Sequence, residues 1–308
     1  MTANLTLDVA PSQPPEPDHS RPPGWWRRRI GGAKAIPLLI LYVVFFVVPQ
    51  VYFLRLAFYR PGVYGEVEGP IGVDTFVDVL TSRFYLEAIW KTIELCGLCG
   101  IFAVLLAYPV AYLIVRYQRL GGALFILVAA TMFSSAVARV LGWRVLLANG
   151  GPINDLLLQL GVIGEPLSIS NNFTAVVIGT VHAILPVAVI GLMPVCQAVP
   201  QDQVLAARSL GASEFTTFFR VYLPQTVLGC VAIGLLSFAT TAGAFTTPVL
   251  LGGGRVGVLS ILMYSDATSA LNYPRAAVLA VIMFVMVLLA VGVALAYTRR
   301  SLRRRGTA

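Results

Sequence analysis

The sequence predicts an all-α membrane protein with six transmembrane helices. Of its 308 residues, 57% are hydrophobic and only 12% are charged, whereas a water-soluble domain carries about a quarter charged residues. The apolar residues form six stretches of the length that a helix needs to cross a bilayer, about 20 residues. No polar stretch is long enough to bury a core of its own, which excludes a separate soluble domain. The predicted spans are residues 35–58, 88–115, 121–147, 175–196, 226–250 and 274–297.

Both ends of the chain are polar. Residues 1–34 are rich in proline and then basic beside Trp25 and Trp26, which predicts a disordered tail that ends in an interfacial anchor. Residues 298–308 carry five arginines and predict a basic tail. The six-span domain is therefore expected to occupy residues 35–297.

The distribution of positive charge predicts the orientation of the spans. Fourteen of the 22 Lys and Arg residues fall on the side that holds both tails and the segment between spans 4 and 5, and eight fall on the other side. Because the richer side of a membrane protein faces the cytoplasm, we expect both termini to be cytoplasmic. The net charge of +8 is explained by this arrangement, and nucleic acid is not an expected partner.

Charged residues in spans 2 and 3 have structural explanations. Glu87, Lys91 and Glu94 share one helix face at the start of span 2, which predicts an ion pair at the outer boundary of the membrane. Arg139 and Arg144 lie in the second half of span 3. We expect these two side chains to extend to the outer headgroups.

Spans 4 and 5 contain the polar groups that could face a solute. His182 is a lone histidine in span 4, and we expect it to be packed and hydrogen-bonded. Span 5 is rich in small and hydroxyl residues, which suits a span beside a polar path, although close helix packing explains them equally well. The candidate solute-path residues are Thr240, Thr241, Phe245, Thr246 and, from span 3, Trp143.

Catalytic and metal-binding patterns are not evident in the sequence. Cys96 and Cys99 have the spacing of a redox pair, but inside a span cysteine is simply a small apolar residue. No span carries a Ser–His pair or a cluster of metal ligands, and no phosphate-binding G-x-x-x-x-G-K-[ST] loop occurs. We therefore expect a protein that is not an enzyme, with no metal and no cofactor of its own. A stand-alone secondary transporter would show internal repeats or a relay of ionisable residues, and neither is evident.

Residues 199–224 are the longest stretch of mixed polarity between two spans, and they predict two short helices. Pro200 suits the first position of a helix. Gly211 ends that helix because glycine adopts a positive φ without strain, and Ser213 caps the next one. Pro224 is expected to end or kink the second helix. The second helix has one aromatic face, formed by Phe215, Phe218, Phe219 and Tyr222.

The residue types in this segment resemble the EAA loop of ATP-binding-cassette (ABC) importer permeases. The resemblance rests on two alanines, a Gly-Ala pair, an aromatic residue and a Leu-Pro pair; Leu205 stands where the family has an acidic residue. In that family the loop forms a coupling helix that docks on a cytoplasmic ATPase subunit. The coupling residues implied are Leu205, Ala206, Ala207, Gly211, Ala212, Phe218 and Pro224.

Other stretches resemble the spermidine/putrescine branch of these permeases. They are residues 105–114, 143–154, 245–253 and 272–274, and Ala244 stands where that branch usually carries an acidic residue. The resemblance implies a type I ABC importer permease fold in the inner membrane. It implies four kinds of partner: membrane lipid, an ATPase dimer that binds the ATP, a second and different permease chain, and a periplasmic or lipid-anchored solute-binding protein. A polyamine is the expected solute, and iron chelates, phosphonates and amino-acid-like solutes remain alternatives.

Overall fold

The computed structural model describes residues 36–62, 67–68 and 71–305. The predicted N-terminal tail of residues 1–34 lies outside the described residues, as do the last three residues of the predicted basic tail. The backbone of residues 298–305 continues the last helix. The chain divides into two compact units after Phe53, so most of the first helix forms a unit by itself.

Helices account for nearly all of the regular structure. An antiparallel ladder of two residues per strand joins β1 (Arg60–Pro61) to β2 (Val67–Glu68). The helices are α1 (Ile36–Leu56), α2 (Asp74–Thr81), α3 (Arg83–Arg116), α4 (Gln118–Met132), α5 (Ala136–Leu146), α6 (Pro152–Gln159), α7 (Phe173–Gln197), α8 (Gln201–Ser209), α9 (Glu214–Ala242), α10 (Thr246–Leu251), α11 (Leu259–Thr268) and α12 (Tyr273–Arg305).

The number of spans agrees with the sequence prediction. Helices α1, α3, α7, α9 and α12 are each long and apolar enough to cross a bilayer. The pair α4 and α5 also passes when it is counted as one broken span. Among the described residues, the predicted six-span all-α class is therefore confirmed.

Helix α3 is the centre of the larger unit, where it packs against α7 and α9, which also pack against each other. Ala103, Ala107 and Ala111 are fully buried on α3, and small residues of this kind let membrane helices approach closely. The crossing with α9 is tighter still, because a Cβ atom on Gly100 would lie 2.9 Å from the carbonyl oxygen of Gly234. Helix α12 packs on α9 and α11.

Span 3 is not the straight helix that hydropathy predicted. It breaks after α4 at residues 133–135 and turns by 100° into α5, which packs against α7 and α10. Arg139 and Arg144 both lie on α5. The prediction that they lie at the outer end of one continuous span is wrong, since the sequence pattern contained no signal for the bend.

Span 5 also ends earlier than predicted. Helix α9 stops at Ala242, residues 243–245 are not helical, and the short α10 follows. The hydroxyl of Ser260 donates a 2.8 Å hydrogen bond to the carbonyl oxygen of Ala244. The break leaves the carbonyl group of Ala244 without a helical hydrogen bond, and Ser260 of α11 supplies the partner. Sequence periodicity cannot predict such a contact, because the two residues lie on different helices.

Side-chain contacts join the elements at the end of the bundle where α7 begins. The hydroxyl of Thr92 on α3 accepts a 2.9 Å hydrogen bond from the backbone N–H of Leu259. The mostly buried Asp266 forms a two-pronged ion pair with Arg275, which joins α11 to α12. The prediction of an ion pair at Lys91 is wrong: among the described residues Lys91 forms no ion pair, and Glu87 pairs with Arg83 instead.

Candidate functional site

Residues 199–224 form a helical hairpin at the opposite end of the bundle, where α7 ends and α9 begins. Pro200 directly precedes α8 and has an extended ψ of 124°. It is therefore the N-cap residue of α8, one position before the first helical position at which it was predicted. Val199 and Val204 are buried against the bundle. The amide of Gln225 donates a 2.8 Å hydrogen bond to the side-chain oxygen of Gln203, which also fixes α8 to α9.

The end of α8 is a Schellman motif, which explains three of the motif residues. Gly211 has a φ of +81°, its N–H bonds the carbonyl of Arg208, and the N–H of Ala212 bonds the carbonyl of Ala207. These are the two hydrogen bonds that define this helix ending, with glycine at the left-handed position. Nothing lies within 4 Å of a Cβ atom built on Gly211, so backbone conformation alone requires glycine within this chain.

The next helix begins as predicted but does not end at Pro224. The hydroxyl of Ser213 accepts a 3.2 Å hydrogen bond from the N–H of Thr216 and so caps α9. An ion pair of 2.6 Å between Arg208 and Glu214 closes the turn from α8 to α9; the sequence reading missed this pair. Helix α9 continues through Pro224 because a π-helical turn at Phe218–Tyr222 precedes it, and such a turn can accommodate a local disruption of the hydrogen-bond ladder.

The predicted aromatic face is divided between two surfaces. Tyr222 is buried, and its hydroxyl donates a 2.7 Å hydrogen bond to the carbonyl of Cys196 at the end of α7. Its ring meets Tyr112 of α3 edge-on at 4.9 Å. Phe218 lies between Tyr108 and Tyr112 of the same helix. These aromatic contacts attach the start of α9 firmly to α3.

The other two phenylalanines are more exposed, although Phe219 also lines an apolar cavity beside Tyr108 of α3. Phe215 is 74% exposed and Phe219 is 48% exposed, with their ring centroids 4.5 Å apart. Leu210, at the turn, is 88% exposed, and Leu205 on α8 is 58% exposed. We call these four residues the docking face. Leu210 was not among the predicted coupling residues, although its position directly before Gly211 was a usable signal.

The structure places the other predicted coupling residues beside the docking face. Ala206 is exposed on α8, while Ala207 and Ala212 are half-buried in the Schellman turn. Phe218 packs on α3, and both Phe218 and Pro224 are partly buried. Within this segment, therefore, the small residues shape the turn and the larger apolar residues provide the exposed surface.

The predicted solute-path residues do not form one cluster. Thr240 and Thr241 are in the last turn of α9, where each hydroxyl bonds the backbone carbonyl of Ser237. Phe245 lies in the break after α9, with its ring centroid 4.3 Å from that of Tyr264 on α11. Thr246 begins α10, the helix against which α5 packs.

Trp143 belongs to a separate cluster where α5 meets α7. Its ring lies edge-on to His182, with the centroids 5.6 Å apart, and Arg139 is near enough to interact electrostatically with the same histidine. The predicted packing of His182 is confirmed. Its predicted hydrogen bonding is wrong among the described residues, where Nδ1 is buried and has no partner.

A bundle of broken and continuous spans with an exposed helical hairpin at one end is an arrangement that suits a membrane transport permease. Comparison with protein families gives the same class. Residues 33–303 match the family model described as binding-protein-dependent transport system inner membrane component. The chain belongs to this family, and it is a multi-pass permease subunit of an ABC importer.

Individual relatives are permeases of several transport systems. The spermidine/putrescine transport system permease protein PotB of Haemophilus influenzae is 28% identical over 241 residues, which cover 78% of this chain and 84% of that protein. The molybdenum transport system permease protein ModB of Azotobacter vinelandii is 29% identical over 201 residues, which cover 63% and 86%. The solutes for which these two relatives are named differ, although the two sequences are about equally similar to this chain.

Solved structures support the fold. A chain from a bacterial alginate ABC transporter, crystallised with a periplasmic protein that holds an alginate pentasaccharide, superposes with a TM-score of 0.73 at 20% identity and covers 89% of this chain and 96% of its own length. A chain from the inward-facing MetNI methionine ABC transporter gives a TM-score of 0.55 at 16% identity, with coverages of 70% and 94%. At these identities the likeness establishes the type I permease fold alone.

Proposed function

We propose that this chain forms half of a solute path and couples that path to a cytoplasmic ATPase dimer through the docking face. The observation that carries the proposal is the exposure of Leu205, Leu210, Phe215 and Phe219 on a hairpin whose backbone is fixed by capping and by an ion pair. Large exposed apolar patches are typical of protein interaction sites, and two of these four side chains, Phe215 and Phe219, contact each other. Because the hairpin is rigidly attached to α3 and α7, a force on the docking face reaches the bundle.

The charge distribution supports an orientation in which the docking face and both termini are cytoplasmic in the inner membrane. In that orientation the break between α9 and α10 lies toward the periplasm, where a periplasmic or lipid-anchored solute-binding protein would deliver the solute. The ATPase would supply all of the nucleotide chemistry, so this chain needs neither a cofactor nor catalytic residues. Closure of two ATPase subunits would then switch the path between inward-facing and outward-facing states.

The proposed solute class is a small organic amine, and a polyamine is the first candidate because PotB relatives are named for spermidine and putrescine. The second permease would be a different chain, as the resemblance to that branch implies. Other solutes handled by this family remain alternatives. A stand-alone secondary transporter is the alternative class, and it would need no ATPase partner.

The proposal is tested by purifying the chain from its native membrane in mild detergent and identifying the copurifying proteins by mass spectrometry. We expect an ATPase and a second permease. Leu210→Glu should lower ATPase recovery at least tenfold, because it places a charge in an apolar interface. Leu160→Glu is the matched control, since Leu160 is also exposed but lies before α7, away from the docking face. Full ATPase recovery with Leu210→Glu, or transport by the chain alone in ATP-free liposomes, would contradict the proposal.

A further inference from the structure

Arg139, Trp143 and His182 form a polar cluster inside the membrane-spanning bundle. Arg139 and Trp143 are four residues apart on α5 and therefore share one face of that helix. This face meets α7, where His182 packs edge-on against the indole ring. Two basic side chains and one indole ring are thus brought together from two different spans.

Two nitrogen atoms of this cluster lack hydrogen-bond partners. Nε of Arg139 and Nδ1 of His182 are both buried, and neither has a partner among the residues that the structure describes. Buried polar atoms are nearly always paired in folded proteins. A guanidinium carries only donors, and its planar fork suits the paired oxygens of a carboxylate or a phosphate.

The cluster lies deep in the membrane. His182 is the tenth residue of the 25-residue helix α7, so at 1.5 Å per residue it lies about 14 Å from the start of a helix about 37 Å long. An ionisable group at such depth is costly, and it is typical of a solute or ion pathway. A charged side chain near the end of a span can reach the lipid headgroups. His182 is too far from the end of α7 for that explanation to apply.

The surrounding backbone also favours a path. Helix α5 follows the 100° bend of span 3 and packs against α10, which follows the break after α9. Two interrupted spans therefore meet beside the cluster. Non-helical backbone at membrane depth is tolerated where it is buried in protein or lines a polar cavity, and interrupted helices form solute sites in several transporter folds.

The described residues provide no anion for Arg139. Its guanidinium forms no ion pair with any carboxylate in the described part of the chain, where the recorded pairs are those of Arg60, Arg83, Arg208 and Arg275. Position 244, beside the break, is alanine. The cluster therefore carries an uncompensated positive charge, which suits an anionic group and disfavours a purely cationic ligand at this position.

We propose that Arg139 and His182, backed by Trp143, bind a carboxylate of the transported solute inside the path. This inference rests on the proposed importer function but departs from its first solute candidate, the polyamine. The solute becomes a small amine that also carries a carboxylate, one of the amino-acid-like alternatives. Arg139 would bind the carboxylate through its guanidinium, His182 would donate a second hydrogen bond, and Trp143 would exclude water from one side. A diamine offers only donors to the same groups and is not expected to bind there.

Four solutes with the same four-carbon chain separate these possibilities. The purified importer complex in detergent is heated with 4-aminobutanoate, butanoate, putrescine or butylamine at one ionic strength, and the apparent Tm is recorded. A ligand that binds only the folded state raises Tm. We expect the two carboxylates to raise it by about 2–4 °C and the two amines without a carboxylate to leave it unchanged.

Variants of one helix provide the controls. Arg139→Gln should abolish the shift, and Arg139→Lys should retain part of it, because the charge remains but the planar donor pair is lost. Arg144→Gln removes the same charge from an exposed position of the same helix and should leave the shift intact. A shift that persists in Arg139→Gln, a shift with putrescine alone, or no carboxylate shift in the wild-type complex would overturn the site.

The same samples distinguish this failure from failure of the proposed function. If the ATPase copurifies but the carboxylates have no effect, the importer role stands and the solute site is wrong. If Arg139→Gln loses the second permease during purification, Arg139 pairs with a carboxylate of that chain, and the solute site is again wrong. Loss of the ATPase from the wild-type preparation would count against the proposed function itself.

Discussion

Substitution of Gly211 isolates the contribution of backbone conformation to coupling. Gly211 adopts a φ of +81° at the end of α8, and the space around its Cβ position is open to 4 Å. A Cβ atom at this position therefore meets no atom of this chain. Replacement by asparagine, alanine or valine changes the conformational preference of one residue and leaves the packing of the hairpin unchanged.

The expected magnitude follows from the left-handed conformation. An L-residue with a Cβ atom pays about 1–2 kcal/mol there, asparagine pays less because its short polar side chain tolerates the region, and a β-branched residue pays more. A cost of 1–2 kcal/mol lowers the population of the native turn about 5- to 30-fold relative to a competing one. The two Schellman hydrogen bonds and the Arg208–Glu214 pair are the contacts that such a competing turn would lose.

The assay is solute uptake by cells that express the complete importer, together with recovery of the ATPase on the purified permease. Uptake should fall in the order glycine, asparagine, alanine, valine, while membrane insertion remains normal. Wild-type uptake with Gly211→Val would refute the reasoning. Equal loss with asparagine and valine would also refute it, since that result would indicate a clash with the partner and not a cost of backbone conformation.

Two further predictions concern the bundle. Asp266→Asn should lower the stability of the detergent-solubilised chain by about 2–3 kcal/mol, which is less than the full cost of breaking a buried pair because Arg275 is partly exposed; an unchanged thermal midpoint would contradict the structural role of this pair. Gly100→Ala should cost about 1–3 kcal/mol, because the new methyl group would lie 2.9 Å from the carbonyl oxygen of Gly234, whereas Gly97→Ala, with nothing within 4 Å, should be neutral in the same measurement.

The sequence was sufficient to predict the class of fold and the outline of the hairpin. Hydropathy identifies spans because each must be apolar over about 20 residues, and α7 begins and ends within two residues of the predicted bounds. The turn at Gly211 and the cap at Ser213 were predictable because both obey local rules of helix termination. Such features depend on a few neighbouring residues and on no distant contact.

The two breaks and the divided aromatic face could not be predicted in the same way. Residues 243–245 are small or apolar, so hydropathy continues across them, and the partner that stabilises their backbone is Ser260 on another helix. The division of the aromatic face depends on the π-helical turn at Phe218–Tyr222, which changes the angular spacing of the residues around it. Each of these features is fixed by tertiary contacts, which lie outside the reach of a 3.6-residue periodicity.

The continuity of α9 gives the two proposed sites a common mechanical basis. This helix runs without interruption from Glu214, beside the docking face, to Ala242, at the break, a distance of about 42 Å at 1.5 Å per residue. Its first turns are attached to α3 through Tyr222 and Phe218, so a displacement of the hairpin moves both helices together. Because helix backbones are stiff and the break is not helical, we expect the resulting change in geometry to concentrate at residues 243–245, where α10 and α5 meet the proposed solute.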